Sequence, residues 1–126
     1  MPGKTPEFAE FLGVATTFTD LGSAGAGTTT PDLANGTIQK LTCTAATRTI
    51  AAPTLNGGTV GANVPVGTQL AMQISNTSGG GLTITWNGAF KTPSGTGPAT
   101  ANYRTFLFFW DGAAWRTLAA SADQAN

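Results

Sequence analysis

The sequence predicts an all-β fold, an antiparallel β-sandwich or jelly-roll-like domain with an extended N-terminal arm. Three observations favour this fold class. Aromatic and threonine-rich runs are short and suit a pleated surface that is buried on one face. Turns rich in glycine, asparagine and proline separate these runs at the spacing of small all-β proteins. After Gly13, no segment repeats its apolar residues at a helical period.

Residues 1–36 differ from the rest of the chain, and we assign them to an N-terminal arm and a flexible linker. Residues 14–21, VATTFTDL, are rich in threonine and suit a strand. Residues 22–31, GSAGAGTTTP, have the small side chains of a flexible linker. The regular domain is therefore expected to begin at residue 37.

The arm carries four large apolar side chains, and each must be buried against something. Phe8, Phe11 and Leu12 fall at i, i+3 and i+4 in EFAEFL, which places them on one side of a helical turn. Phe18 follows in the threonine-rich run. Two interpretations stay open, because the arm can fold back onto its own core or bind a neighbouring subunit. The second interpretation makes Phe8, Phe11, Leu12 and Phe18 partner-binding residues.

Residues 37–120 have the pattern of a β domain. The run 37–44, TIQKLTCT, alternates between apolar and polar residues, whereas 56–61, NGGTVG, has the composition of a loop. Residues 69–75, QLAMQIS, and 82–86, LTITW, alternate clearly and are separated by NTSGGG. We expect these last two strands to pair as a hairpin.

The stretch YRTFLFFWDGAAWRTL, residues 103–118, is expected to form the centre of the core. An Asp-Gly dipeptide separates its aromatic run from a second strand, and this dipeptide favours a hairpin because glycine takes positive φ freely. The loop length stays open between two and four residues. The hairpin carries Trp110 and Trp115, and residues 121–126 follow it as a polar tail.

Composition narrows the classes of partner. The chain has 126 residues, with six Lys and Arg balanced by six Asp and Glu, and the scattered cations argue against nucleic-acid binding. No apolar run has the length of a membrane span, and the N-terminus lacks the apolar segment of a signal peptide. We therefore expect a protein made and folded in a cytoplasm. Charged residues make up only 10% of the chain, which favours a subunit of an assembly.

The residues needed for most catalytic chemistry are missing. The chain has no histidine, which excludes Ser-His-Asp triads and histidine metal sites, and its single cysteine excludes thiolate zinc sites. We expect Cys43 to be a small buried apolar residue. Four of the six carboxylates lie in the N-terminal region, one in the Asp-Gly turn and one in the tail. The sequence therefore predicts neither an enzyme nor a metal or cofactor.

Aromatic residues outside the core are candidates for stacking on sugars or for protein interfaces. Trp110 ends a strand beside a turn, and Tyr103 and Phe90 lie near loops. These three are the candidate glycan-binding or interface aromatics. Trp86 and Trp115 are assigned to the core or to an interface, as is usual in small β domains.

From Leu41 onward, the order of several short motifs resembles a β module of tailed-bacteriophage virion proteins. The motifs are LTCTAATRTIAAP, VGTQLAMQISNTSGGGLTITW, AFKTPSGTGP and TFLFFWDGAAWRTL. The resemblance implies a β-sandwich domain that is commonly trimeric and lies on a virion surface. It implies no catalytic residue.

The chain lacks the long repetitive shaft of a fibre, which favours a capsid decoration protein. We therefore expect a homotrimer that binds the major capsid protein on the outside of the head and is assembled in the host cytoplasm. The alternative is the tip module of a tail fibre or head fibre, with a host-surface polysaccharide as its partner.

Overall fold

The computed structural model describes residues 17–91 and 97–126, and nearly all of their regular structure is β-strand, which confirms an all-β fold. A short 3-10 helix, Leu33–Asn35, interrupts the strands. The strands are β1 Phe18–Ala24, β2 Thr28–Thr29, β3 Ile38–Cys43, β4 Thr47–Ile50, β5 Thr54–Leu55, β6 Gly58–Thr59, β7 Gln69–Asn76, β8 Thr83–Trp86, β9 Phe90–Lys91, β10 Asn102–Trp110, β11 Trp115–Ala120 and β12 Gln124–Ala125.

Two sheets and one small hairpin organise these strands. The large sheet has the order β1-β3-β7-β10-β11-β9, with β12 also paired to β10, and the small sheet has the order β2-β4-β8. Strands β1, β3 and β7 run parallel, as do all three strands of the small sheet. Antiparallel pairing is confined to β7-β10-β11, β10-β12 and the β5-β6 hairpin. The predicted antiparallel pairing therefore holds for β7, β10, β11 and β12 of the large sheet and is wrong for β1-β3-β7 and for the small sheet.

The parallel pairing arises because successive strands form stacked β-arches. In each arch, a strand of the large sheet bends into a strand of the small sheet, giving β1-β2, β3-β4 and β7-β8. The bends lie above one another, since Thr44 N donates to Ala24 O and Thr77 N donates to Cys43 O, each at 2.9 Å. The expected hairpin between residues 69–75 and 82–86 is wrong, because β7 and β8 lie in different sheets.

The predicted linker is part of the first arch. Within residues 17–36, β1 pairs with β3 and β2 pairs with β4, so the domain begins before residue 37. Arg48 Nε donates to Thr29 Oγ1 at 2.8 Å, and Arg48 Nη1 donates to Gly25 O at 2.9 Å. The small residues of GSAGAG therefore form an ordered bend. The register between β1 and β3 also shifts between Asp20 and Ser23, which places a bulge in this edge strand.

The predicted polar tail also belongs to the sheet. Strand β12 pairs with the beginning of β10. Asp123 accepts a hydrogen bond from Arg104 Nε at 2.5 Å, and this bond lowers the pKa of Asp123 below its ordinary value. Residues 121–126 are therefore held by backbone pairing and by an ion pair.

The core lies on the inner face of the large sheet, as expected for the 103–118 hairpin. Trp86, from the small sheet, packs edge-on against Phe90, Phe106 and Phe108, with ring centroids 5.0 to 5.2 Å away. Leu70, Met72 and Ile74 of β7 and Ile50 and Ile84 of the small sheet complete the same cluster. Aromatic groups from both sheets thus share one core, which stabilises the arches against the β10-β11 hairpin.

The hairpin between β10 and β11 has a four-residue loop, since Trp110 pairs with Trp115. Asp111 Oδ1 accepts hydrogen bonds from the backbone N–H of Ala113 and Ala114, and Asp111 Oδ2 accepts from Arg116 Nε at 2.6 Å. The Arg116 bond and then the two backbone bonds lower the pKa of Asp111 to about 2. Asp111 is therefore a turn residue, as its place in the sequence predicts.

Asp32 connects the end of the first arch to the β5-β6 hairpin. Its carboxylate accepts hydrogen bonds from the backbone N–H of Ala34, Asn56 and Gly57 and from Thr54 Oγ1, at 2.7 to 3.0 Å. The bonds from Ala34 and Gly57 are the main reasons that the pKa of Asp32 falls from 3.8 to about 2.

We expect Asp32→Ala to lower the free energy of unfolding by about 1 kcal/mol or more near pH 6, because it removes a cap and several backbone acceptors. The ionised carboxylate contributes this stability above its ordinary pKa of 3.8, and the contribution is lost as the pH falls toward about 2. Urea denaturation near pH 6 and near pH 2 measures the difference in free energy of unfolding between Asp32→Ala and the unaltered protein. A gap of the same size at both pH values would contradict the assignment.

Gly36 allows the chain to enter β3 at close range to Thr17, the residue before β1. Its φ is +110°, and a Cβ at this position would lie 2.5 Å from Thr17 O. Thr17 O itself accepts the backbone hydrogen bond of Ile38 at 3.0 Å. We expect Gly36→Ala to destabilise the protein by more than about 1 kcal/mol.

The matched control is Gly79→Ala, because a Cβ on Gly79 meets no atom within 4 Å and its φ is not in the left-handed region. Thermal denaturation should show a clear loss for Gly36→Ala and a change within about 0.5 kcal/mol for Gly79→Ala. Equal losses in the two variants would show that close packing at Gly36 is not the cause.

Candidate interaction surface

The outer face of the large sheet is the side opposite the aromatic core. Along β10, the buried residues Phe106, Phe108 and Trp110 alternate with the half-buried residues Thr105 and Leu107, which face outward. Strands β3 and β7 alternate in the same way, and their outward-facing side chains are Ile38, Lys40, Thr42, Ala71, Gln73 and Ser75. The outer face is thus an ordered surface of mixed chemistry.

An apolar row crosses this face at right angles to the strands. The register places Phe18 beside Ile38, Ile38 beside Ala71, and Ala71 beside Leu107. We call these four residues the apolar row. Leu118 lies at the bulge in β11, next to the register partner of Leu107, and extends the apolar surface there.

The ends of the apolar surface are the most exposed. Phe18 is 54% exposed and Leu118 is 50% exposed. Within residues 17–91 and 97–126, Val66 is the other large hydrophobic residue with comparable exposure, and it lies in a loop away from the row. Adjacent apolar side chains left in water mark a protein interface more often than single ones do.

A polar groove of about 260 Å³ lies on the same face, toward the opposite ends of the strands. Its floor is set by register, since Thr42 and Tyr103 each lie beside Ser75, and Lys40 lies beside Gln73. No acidic side chain contributes to the lining. We call this site the polar groove, and its lining residues are Lys40, Thr42, Gln73, Ser75, Thr77, Tyr103 and Asn126.

A second cavity, of about 550 Å³, opens near the 3-10 helix and the β5-β6 hairpin. Leu33, Leu55 and Val64 give it an apolar lining, and Asn63 and Thr68 add polar groups at its edge. Asn63 Oδ1 already accepts a hydrogen bond from Gly61 N at 2.7 Å. No charged side chain lines this cavity, so its lining offers apolar contacts and uncharged polar groups.

Of the four residues predicted to bind a partner, the structure describes one. Phe8, Phe11 and Leu12 lie outside the described residues. Phe18 is exposed at the end of the apolar row, which is compatible with its predicted role in binding a partner.

Of the three predicted surface aromatics, two are buried and one lies at the surface. Trp110 is 6% exposed because it points inward beside Trp115, with ring centroids 5.4 Å apart. Phe90 is 4% exposed and packs against Trp86 and Phe108. Neither ring can stack on a sugar, so these two assignments are corrected. Tyr103 lies in the polar groove and keeps a surface role.

Several surface residues were missed by sequence reasoning. Lys40 and Thr42 alternate with buried Leu41 and Cys43, so the alternation in TIQKLTCT predicts that they share a face. Their contact with the polar residues of β7 requires the parallel register of the arches, which no local pattern specifies.

Other candidate chemistry is limited in the part of the chain that the structure describes. No group of three or more acidic, cysteine or histidine residues is placed to hold a metal ion there. Cys43 is buried, as predicted, and burial raises the pKa of its thiol. Across the described ranges, no helix combines the length and apolar character needed to cross a membrane.

No protein-family model, curated protein or solved structure matches the chain. Within the described residues, the chain is an all-β domain whose outer sheet face carries an apolar row beside a polar groove. Such a face can bind another macromolecule by apolar contact and can also hold a polar ligand.

Proposed function

We propose that the protein is a structural component of a bacteriophage virion, a capsid decoration protein. It binds the outside of the head and stabilises contacts between major capsid proteins. The observation that carries this proposal is the apolar row, because Phe18 at one end and Leu118 beyond the other end are exposed and offer surface for a protein partner. The motif order between Leu41 and Leu118 supports a virion as the setting.

The physical basis is burial of surface that must be exposed again before capsid subunits separate. Specific protein interfaces bury about 1,200 to 2,000 Å² in total. A sheet face is suited to this task because the strands that carry its side chains are held by backbone pairing. A subunit bound across a junction adds its binding free energy to the cohesion of the shell.

A homotrimer strengthens the same effect. Three copies present three apolar rows, and simultaneous binding raises avidity without any new type of contact. Low charge supports close packing of copies, because few like charges oppose it. Phe8, Phe11 and Leu12 of the arm add further contacts in this proposal.

We expect Phe18→Ser and Leu118→Ser each to weaken binding to capsids by about tenfold, because each removes about 1.5 kcal/mol of apolar burial. Val66→Ser is the matched control, since Val66 is 71% exposed and lies outside the apolar row. Co-sedimentation with capsids assembled without the protein measures the three affinities.

Two outcomes would contradict the proposal. The first is unchanged binding of Phe18→Ser and Leu118→Ser when circular dichroism shows both variants to be folded. The second is an equal loss for Val66→Ser, which would indicate non-specific adhesion. Deleting residues 1–16 leaves β1 intact and measures the contribution of the arm separately.

A further inference from the structure

The polar groove contains side chains that are not used to hold the fold together. No hydrogen bond or ion pair joins the side chains of Lys40, Gln73 or Tyr103 to another residue that the structure describes. Thr77 is different, since its Oγ1 donates to Cys43 O at 3.3 Å. The groove thus presents an ammonium, an amide and a phenol to solvent from three adjacent strands.

The chemistry of these groups selects a class of ligand. Hydroxyl groups of Thr42, Ser75 and Tyr103 both donate and accept hydrogen bonds, as does the Gln73 amide. Such a set complements a ligand with several hydroxyl groups. The phenol ring adds an apolar surface beside them, and ring faces of this kind pack against the C–H face of a sugar.

Charge narrows the ligand further. Lys40 is the one formally charged side chain in the lining, which contains no acidic side chain. Asp20, the register partner of Lys40 on β1, lies outside the lining and accepts a hydrogen bond from Gly22 N at 2.8 Å. No ion pair joins the ammonium to Asp20, so the ammonium remains available for a charge-assisted hydrogen bond with the carboxylate of a ligand.

We infer that the polar groove binds a carboxylate-bearing sugar residue of an acidic polysaccharide. The Lys40 ammonium pairs with the sugar carboxylate, and the Tyr103 ring packs against the sugar ring. Gln73, Thr42 and Ser75 bind its hydroxyl groups. The volume of about 260 Å³ suits a single sugar residue, because sites for larger ligands occupy about 300 to 1,000 Å³.

This inference is independent of the capsid proposal. The apolar row and the polar groove use different residues of the outer face, so a protein can bind through either one alone. The two proposals also fail separately, since one is tested with capsids and the other with purified sugars.

The test uses the full chain and four probes of similar length: oligogalacturonate, a hyaluronan oligosaccharide, an oligomer of sialic acid and a neutral galacto-oligosaccharide. Tyr103 is the single tyrosine of the sequence, so its ring signals in NMR spectra report on the groove without ambiguity. We expect at least one acidic probe to shift these signals, with an affinity in the millimolar range or tighter, whereas the neutral probe binds about tenfold more weakly.

Lys40→Gln and Lys91→Gln form a matched pair, because each removes one positive charge and Lys91 lies outside the groove. We expect Lys40→Gln to weaken acidic-sugar binding by about tenfold and Lys91→Gln to leave it unchanged. Tyr103→Leu should weaken binding comparably while keeping an apolar residue on β10. Thermal denaturation checks folding, and Lys40→Gln carries the test if Tyr103→Leu fails to fold.

Three results would overturn the inference. One is the absence of any shift of the Tyr103 signals by all acidic probes at about 10 mM. Another is an equal loss of binding in Lys40→Gln and Lys91→Gln, which would indicate attraction by net charge alone. The third is equal affinity for neutral and acidic probes, which would remove the role of the carboxylate.

Discussion

The stacking of the arch bends is the constraint on which the rest of the structure depends. Backbone hydrogen bonds run through the bends, from Thr44 N to Ala24 O and from Thr77 N to Cys43 O. Because the bends are in register, β1, β3 and β7 must pair in parallel, and β2, β4 and β8 must follow. A slip of one residue would turn every side chain of these strands to the other face. The positions of the surface residues on β1, β3 and β7 therefore follow from the bends.

The outer face acquires two different chemistries from this one register. Toward the amino ends of β3 and β7, the aligned residues are apolar, as with Ile38 and Ala71. Toward the carboxyl ends they are polar, as with Thr42 and Ser75. The core holds this arrangement rigidly, since Trp86 joins the small sheet to Phe106 and Phe108 of the large one. An adhesive surface and a polar site can thus share a sheet without sharing residues.

Local sequence patterns predicted the parts of the fold that are local. The Asp-Gly dipeptide specifies its own turn, and the buried alternation around Phe106 and Phe108 is visible in the sequence. The Asn-Gly turn of the β5-β6 hairpin carries a similar signal, with Asn56 at φ +51° and Gly57 at φ +81°, although residues 56–61 were assigned to a loop. The arches were not predicted because the β5-β6 hairpin and the following loop separate β4 from β7, so the arches β3-β4 and β7-β8 do not recur at an even spacing in the sequence.

Sequence reasoning assigned the linker and Trp110 wrongly and did not find the polar groove, and each failure has a physical reason. Small residues suit a flexible linker and a tight bend equally, and the hydrogen bonds of Arg48 to Gly25 and Thr29 decide between them. Trp110 lies beside a turn, which suggests exposure, but its place two residues after Phe108 turns it inward. The polar groove depends on contacts between strands that are distant in sequence, so no motif predicts it.

The bulge in β1 has a consequence for crowded copies of this chain. A straight parallel strand at the border of a sheet can recruit the same strand from another molecule, and repetition of that step produces filaments. The shift between Asp20 and Ser23, with Gly22 at φ +84°, interrupts the line of backbone groups that such recruitment requires. The bulge therefore opposes the growth of filaments through this edge of the large sheet.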